Sequence, residues 1–214
     1  AHTARIQYYR ENPRPLQQVN HGYYQPMSNG LYPMLVVPVA VHVFHAAADN
    51  TVGTGTNISQ AQIDNQLTAL NDAFDTLGIQ FCVVAVTRHN DNGINHKVDS
   101  QLQVTSLRNV VYYNPDSVLN LYVVRSILEN NNTESTLAGY NNSLPGIGRI
   151  DAVVVRYNRF GNYNTCSGCP LSTDARGITT VHEVGHYLGL WHTFQDACSG
   201  GVDSTDCSSK GDRC

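Results

Sequence analysis

The chain has 214 residues, with 13 Lys and Arg against 17 Asp and Glu and a formal charge of -4 at pH 7. With 41% hydrophobic residues it can bury a core, which excludes the disordered class, and its mildly acidic surface, with lysine only at Lys97 and Lys210, offers no cationic stripe for nucleic acid. The longest apolar run, Leu35 to Phe44, is broken by Pro38 and His42 and is about half of a membrane span, so a membrane-spanning segment is excluded and no membrane partner is expected.

Residues 1–34 are rich in Gln, Asn, Pro and Tyr without sustained periodicity, and read as an irregular N-terminal arm or prosegment remnant ahead of one domain over 35–214. Ala1 to Gln25 holds no apolar signal-peptide core, so the segment reads as starting after processing. Leu35 to His45 is β-branched and bounded, which predicts a strand. A helix follows, because Ile63, Leu67, Leu70, Phe74 and Leu77 recur at spacings of four and three. Ser59 with Gln62 reads as a capping box, Ile58 with Ile63 as a hydrophobic staple, and Gly78 as a left-handed stop.

Ile79 to Val86 is a strand with bulky apolar residues on both faces, and the strand-helix-strand order predicts a crossover between parallel neighbours. Leu119 to Ile127 and Ile150 to Tyr157 are further strands, separated by the turn-rich stretch Glu129 to Gly148. A short helix is predicted near residue 180. The fold class is therefore α/β.

That last helix carries the chemistry. His182, Glu183, His186, Gly189 and His192 stand at the spacing His-Glu-x-x-His-x-x-Gly-x-x-His. Positions i and i+4 share a helix face, so His182 and His186 can present two imidazoles to one zinc. Gly189 can turn the chain sharply and return His192 as a third ligand, leaving a fourth coordination position open for water. Glu183 beside the first ligand is placed to act as general base on that water. Taken singly, each residue has a plainer reading: a lone histidine is usually a core or surface residue, and Thr180 with Glu183 would serve as a helix cap. A cap does not account for three histidines at these spacings.

Six cysteines, Cys82, Cys166, Cys169, Cys198, Cys207 and Cys214, in a lysine-poor chain indicate an oxidising compartment where up to three bridges form. Asn57, Asn131 and Asn141 begin Asn-x-Ser/Thr sequons, which agrees with a secreted protein. Cys166-Ser-Gly-Cys169 reads as a structural pair rather than a redox centre. His42, His45, His89 and His96 have no partner spacing and read as ordinary residues.

The run from His182 to Gln195 resembles the metzincin metallopeptidases, and within them the pappalysins, particularly secreted microbial members. The Val37 strand, the Ile58 helix and the Leu137-Ala-Gly-Tyr segment are similar as well, so the likeness covers about residues 36–195. The resemblance implies a twisted, mostly parallel sheet with an edge strand and two long helices above a cleft, and an irregular C-terminal lower part. It implies zinc on His182, His186 and His192, Glu183 as the catalytic base, and an extended peptide antiparallel to an edge strand within Leu119 to Tyr140. It also implies a secreted zinc endopeptidase that acts as a monomer on protein or peptide substrates.

The family carries a methionine turn and a tyrosine beyond the third histidine. Here the methionines are Met27 and Met34, so the lower part is expected to be incomplete at Cys214. An inactive zinc-containing peptide-binding domain is the alternative reading. Asp196, Asp203 and Asp206 are candidate calcium ligands, since related enzymes bind structural calcium in this neighbourhood, although their spacing is not that of an EF-hand and a solvated loop accounts for them equally well.

Overall fold

The computed structural model describes residues 17–19, 22–26, 33–93, 97–99, 104–115, 117–128, 134–141, 152–161, 176–190 and 192. Along the chain these form β1 (Gln17–Val19), β2 (Gly22–Pro26), β3 (Pro33–His45), α1 (Gln60–Phe74), β4 (Ile79–Asn90), β5 (Lys97–Asp99), α2 (Val104–Val110), β6 (Leu119–Val124), β7 (Ser126–Leu128), β8 (Gly139–Asn141), β9 (Ala152–Arg156) and α3 (Ile178–Tyr187).

The crossover predicted from the sequence is present: β3 and β4 pair in parallel from Leu35↔Ile79 to His45↔Asn90, joined through α1. The helix starts where Ser59 Oγ accepts from the backbone N–H of Gln62 at 3.1 Å, with Ile58 and Ile63 fully buried beside it. The Gln62 side chain lies on the buried face, where its Nε2 donates to the carbonyls of Tyr157 at 2.8 Å and Phe160 at 2.7 Å. At the far end the helix tightens into a 3-10 turn over Asp75–Leu77 before Gly78, at φ 69. That tighter winding rotates Leu77 off the apolar stripe, so it is 63% exposed rather than in the core.

The sheet runs β1-β2-β3-β6-β9-β8, with β4 on the other side of β3. The β3–β4, β3–β6 and β6–β9 pairs are parallel, and β8 closes one edge antiparallel to β9. Both faces of the centre are covered, which is why β6 reads as an unbroken buried run. Val39, Val41 and Val43 of β3, with Leu119, Leu121, Val123, Val153 and Val155, meet Ile63, Leu67 and Leu70 of α1 on one face. Alternate residues, Phe44, Tyr122, Val124, Ala152 and Val154, form a second core with Leu107 of α2 on the opposite face.

Several expectations need correction. Within residues 1–34, β1 and β2 form an antiparallel hairpin, and β2 pairs with the start of β3, where backbone pairing supplies order that side-chain periodicity does not announce. The strand expected over Leu119 to Ile127 divides at Arg125, and β7 pairs with β5, in a separate two-stranded sheet. The two long helices are α1, with 15 residues, and α3, with only 10. The strand expected over Ile79 to Val86 extends to Asn90 as β4 and lies at a sheet edge, where a register shift after Val39 leaves Val84 bulged out and 55% exposed. Asn57 is 1% exposed and accepts from Arg88 at 2.7 Å, so its sequon is closed in the folded chain. Cys82 is an exposed free thiol on β4, and the remaining five cysteines, like Asn131 and His96, lie outside the described residues.

His42 is a satisfied core histidine. Its ring nitrogens lie 2.8 Å from Thr87 Oγ1 and 3.0 Å from Asn120 Oδ1, and burial lowers its pKa to about 4. The unfolded chain therefore binds a proton near pH 6.5 that the folded chain refuses until about pH 4, so this contribution to stability is present above pH 6.5 and lost as pH falls through that window. Urea unfolding at pH 7 and pH 4.5 is expected to show on the order of 2–3 kcal/mol less pH-dependent loss in His42→Gln than in wild type.

Candidate metal centre

α3 rests against the sheet through Val184, which is fully buried in the α1-side core. With that face anchored, His182 and His186 stand one turn apart on the more open side of the helix. The helix then stops in a Schellman arrangement: Leu190 N–H bonds to Gly185 O and Gly189 N–H to His186 O, both at 2.9 Å, with Gly189 at φ 95. This reversal carries the chain back so that His192 meets the other two rings.

The three Nε2 atoms form a nearly equilateral triangle, with His182–His186 and His186–His192 at 3.0 Å and His182–His192 at 3.1 Å. Each ring nitrogen has one in-plane lone pair or hydrogen, so three mutual contacts cannot all be hydrogen bonds. The separation is near the roughly 3.3 Å between tetrahedral ligands with zinc–nitrogen bonds of about 2.0–2.1 Å, so the donor set fits a zinc ion. His186 Nδ1 lies 2.7 Å from Leu190 O and must donate there, which leaves Nε2 as the bare nitrogen for a metal. Burial, followed by the neighbouring His186 and His192, lowers the His182 pKa and favours the neutral ligand form.

Glu183 is 8% exposed, and burial pushes its carboxyl above the ordinary carboxylate range, partly offset by His186 and by the backbone N–H of Asn141. That N–H belongs to β8, the antiparallel edge strand, at the far end of the range in which it was expected. β8 can lie this close to α3 because residue 139 is glycine. A Cβ there would stand 3.0 Å from Thr179 Cγ2 and the Val154 carbonyl oxygen, and 3.3 Å from Glu183 Cγ.

The structure thus brings His182, His186 and His192 together and sets Glu183 on the same helix, whereas Asp196, Asp203 and Asp206 lie outside the described residues. Sequence reasoning missed the Leu190 carbonyl and the Asn141 N–H, which have no side-chain signature. Gln66 was given no role and Gln62 only that of a cap, although two glutamines four apart within an apolar helical stripe were a readable signal.

Gly189→Ala places a Cβ in the left-handed region at a cost of roughly 1–2 kcal/mol. Relief by unwinding the turn displaces His192, and zinc affinity is expected to fall by about tenfold in a chelator competition.

Several known proteins are similar to this chain. The family model Peptidase M43, pregnancy-associated plasma protein-A, matches residues 103–213, just over half of the chain. An extracellular metalloprotease of Sordaria macrospora is 32% identical over 168 residues, covering 75% of this chain and 52% of the relative. One from Pyricularia oryzae is 30% identical over 167 residues, covering 76% and 53%. The chain therefore spans about half the length of these relatives. Mature mirolysin of Tannerella forsythia, solved in complex with a cleaved peptide, shares the fold at a TM-score of 0.58 and 24% identity over 81% of this chain and 71% of that one.

Proposed function

Because this chain belongs to the pregnancy-associated plasma protein-A family of metallopeptidases, the pappalysins within the metzincins, we propose that it forms the zinc-binding part of a secreted endopeptidase. The observation that carries the reading is the Nε2 triangle of His182, His186 and His192 beside the buried Glu183. When bound there, zinc supplies Lewis acidity, lowering the pKa of water at its open position towards about 7.

The remaining work falls to the chain's own groups. Glu183, with its proton affinity raised by burial, takes a proton from the attacking water and delivers it to the departing amine. β8 offers the substrate a backbone edge. Arg156 N–H donates to Ala138 O at 2.9 Å, so in the alternating antiparallel pattern the backbone groups of Gly139 and Asn141 face away from β9, with the Asn141 N–H directed to Glu183 and the Gly139 groups left to the edge. An extended peptide pairing with that edge runs alongside α3, and main-chain pairing of this kind admits many sequences. Residues 35–214 are taken as the catalytic unit, with β1 and β2 contributing to its sheet. The extracellular names of the relatives support export, and among the described residues no helix is long and apolar enough to cross a membrane.

The test is a peptide library incubated with the zinc-loaded full chain. Continuing appearance of new cut sites that stops with a chelator is expected. Stable peptide binding without new termini favours the binding-only alternative.

A further inference from the structure

The buried face of α1 carries an amide, Gln66, that belongs neither to the histidine triad nor to the base. We propose that Gln66 is a positioning residue: its carboxamide sets where α3 begins, and so how the histidines and Glu183 stand against the edge strand β8. The proposal rests on the zinc-peptidase reading above for its catalytic consequence.

Gln66 is fully buried. Its Nε2 donates to Gly177 O at 3.0 Å, and its Oε1 accepts from Gly161 N–H and from Thr180 Oγ1, each at 2.8 Å. Three of the four hydrogen bonds available to a carboxamide are therefore spent on segments remote in sequence. Gly177 is the N-cap of α3 and carries no side-chain cap, and Thr180 stands two residues before His182. Gly161 follows the turn that leaves β9, the strand on which β8 is hung. One side chain thus ties together the exit of the strand layer behind the substrate edge and the first turn of the helix that bears the histidines.

An apolar side chain would fill this stripe but take a partner from the Gly177 carbonyl, the Gly161 N–H and the Thr180 hydroxyl, so Gln66 both satisfies these groups and fixes their direction. Direction matters here because β8 and α3 approach over Gly139 with no spare room at Glu183 Cγ. A misplacement of about 1 Å between reacting groups can cost about a hundredfold in rate.

Gln66→Leu and the near-isosteric Thr180→Val, each in the zinc-loaded full chain and assayed on quenched fluorescent peptides well below its melting temperature, test the proposal. The expected result is a kcat at least about tenfold lower, with KM changed by less than about twofold. Zinc should remain at one per chain, amide exchange at residues 181–183 should be faster, and Thr180→Ser should restore wild-type values. If Gln66→Leu does not fold, Thr180→Val carries the test alone. Wild-type kcat and wild-type exchange at full zinc occupancy, with only a lower melting temperature, overturn the proposal. Should the wild-type chain show no zinc-dependent turnover, the peptidase reading fails separately. Amide exchange then decides Gln66: faster exchange in the variants upholds its hold on α3, and unchanged exchange removes it.

Discussion

Glu183→Gln is expected to lower kcat for peptide cleavage by about a thousandfold while one zinc stays bound per chain, as assayed on an unfolded protein substrate alongside metal analysis. The substitution keeps the shape of the side chain, and its amide oxygen can still accept from the Asn141 N–H that now meets the carboxylate. What it removes is the proton-accepting capacity that burial has raised. The histidine triad is untouched, so zinc content separates loss of the base from loss of the metal. Unchanged cleavage by this variant would show that the base has been misassigned.

His186→Ala is expected to weaken zinc binding on the order of a thousandfold, one ligand's share of a total of roughly 10–16 kcal/mol, and to abolish turnover at ordinary zinc concentrations. The Nε2 of His186 lies 3.0 Å from both partners, and its Nδ1 is held by the Leu190 carbonyl on the Schellman turn that leads to His192. Removing the ring therefore takes away a ligand and also loosens the turn that presents another. His42→Gln is the control, since it deletes a histidine buried on the opposite face of the sheet and should retain full zinc occupancy. Equal zinc loss in both variants would point to general destabilisation instead of ligand removal.

The parts of this molecule that were legible in the sequence are those written in side-chain periodicity and spacing. The stripe from Ile63 to Phe74, the cap at Ser59 and the stop at Gly78 locate α1, and the spacing of three histidines from His182 to His192 locates the metal centre. What escaped was held by the backbone or by distant partners. β1 and β2 have few apolar alternations and are ordered by pairing onto β3. Gln62 looked like the return half of a capping box because that pattern is local, whereas its actual acceptors, Tyr157 and Phe160, lie almost a hundred residues away. Leu77 fell on the stripe only if the helix kept 3.6 residues per turn to its end, and it does not. At the site, the Gly189 turn could be anticipated from the glycine, but the tautomer lock on His186 depends on a carbonyl whose direction no residue type reveals.

One zinc on His182, His186 and His192 is expected to be what gives this chain peptidase activity. Adding zinc stepwise to the metal-free full chain while following cleavage of an unfolded protein tests this directly. Activity is expected to rise in proportion to added zinc and level off at one equivalent, and the His186→Ala chain to stay inactive throughout. Cleavage already present in the metal-free chain and unaltered across the titration would show that zinc is not the source of the activity.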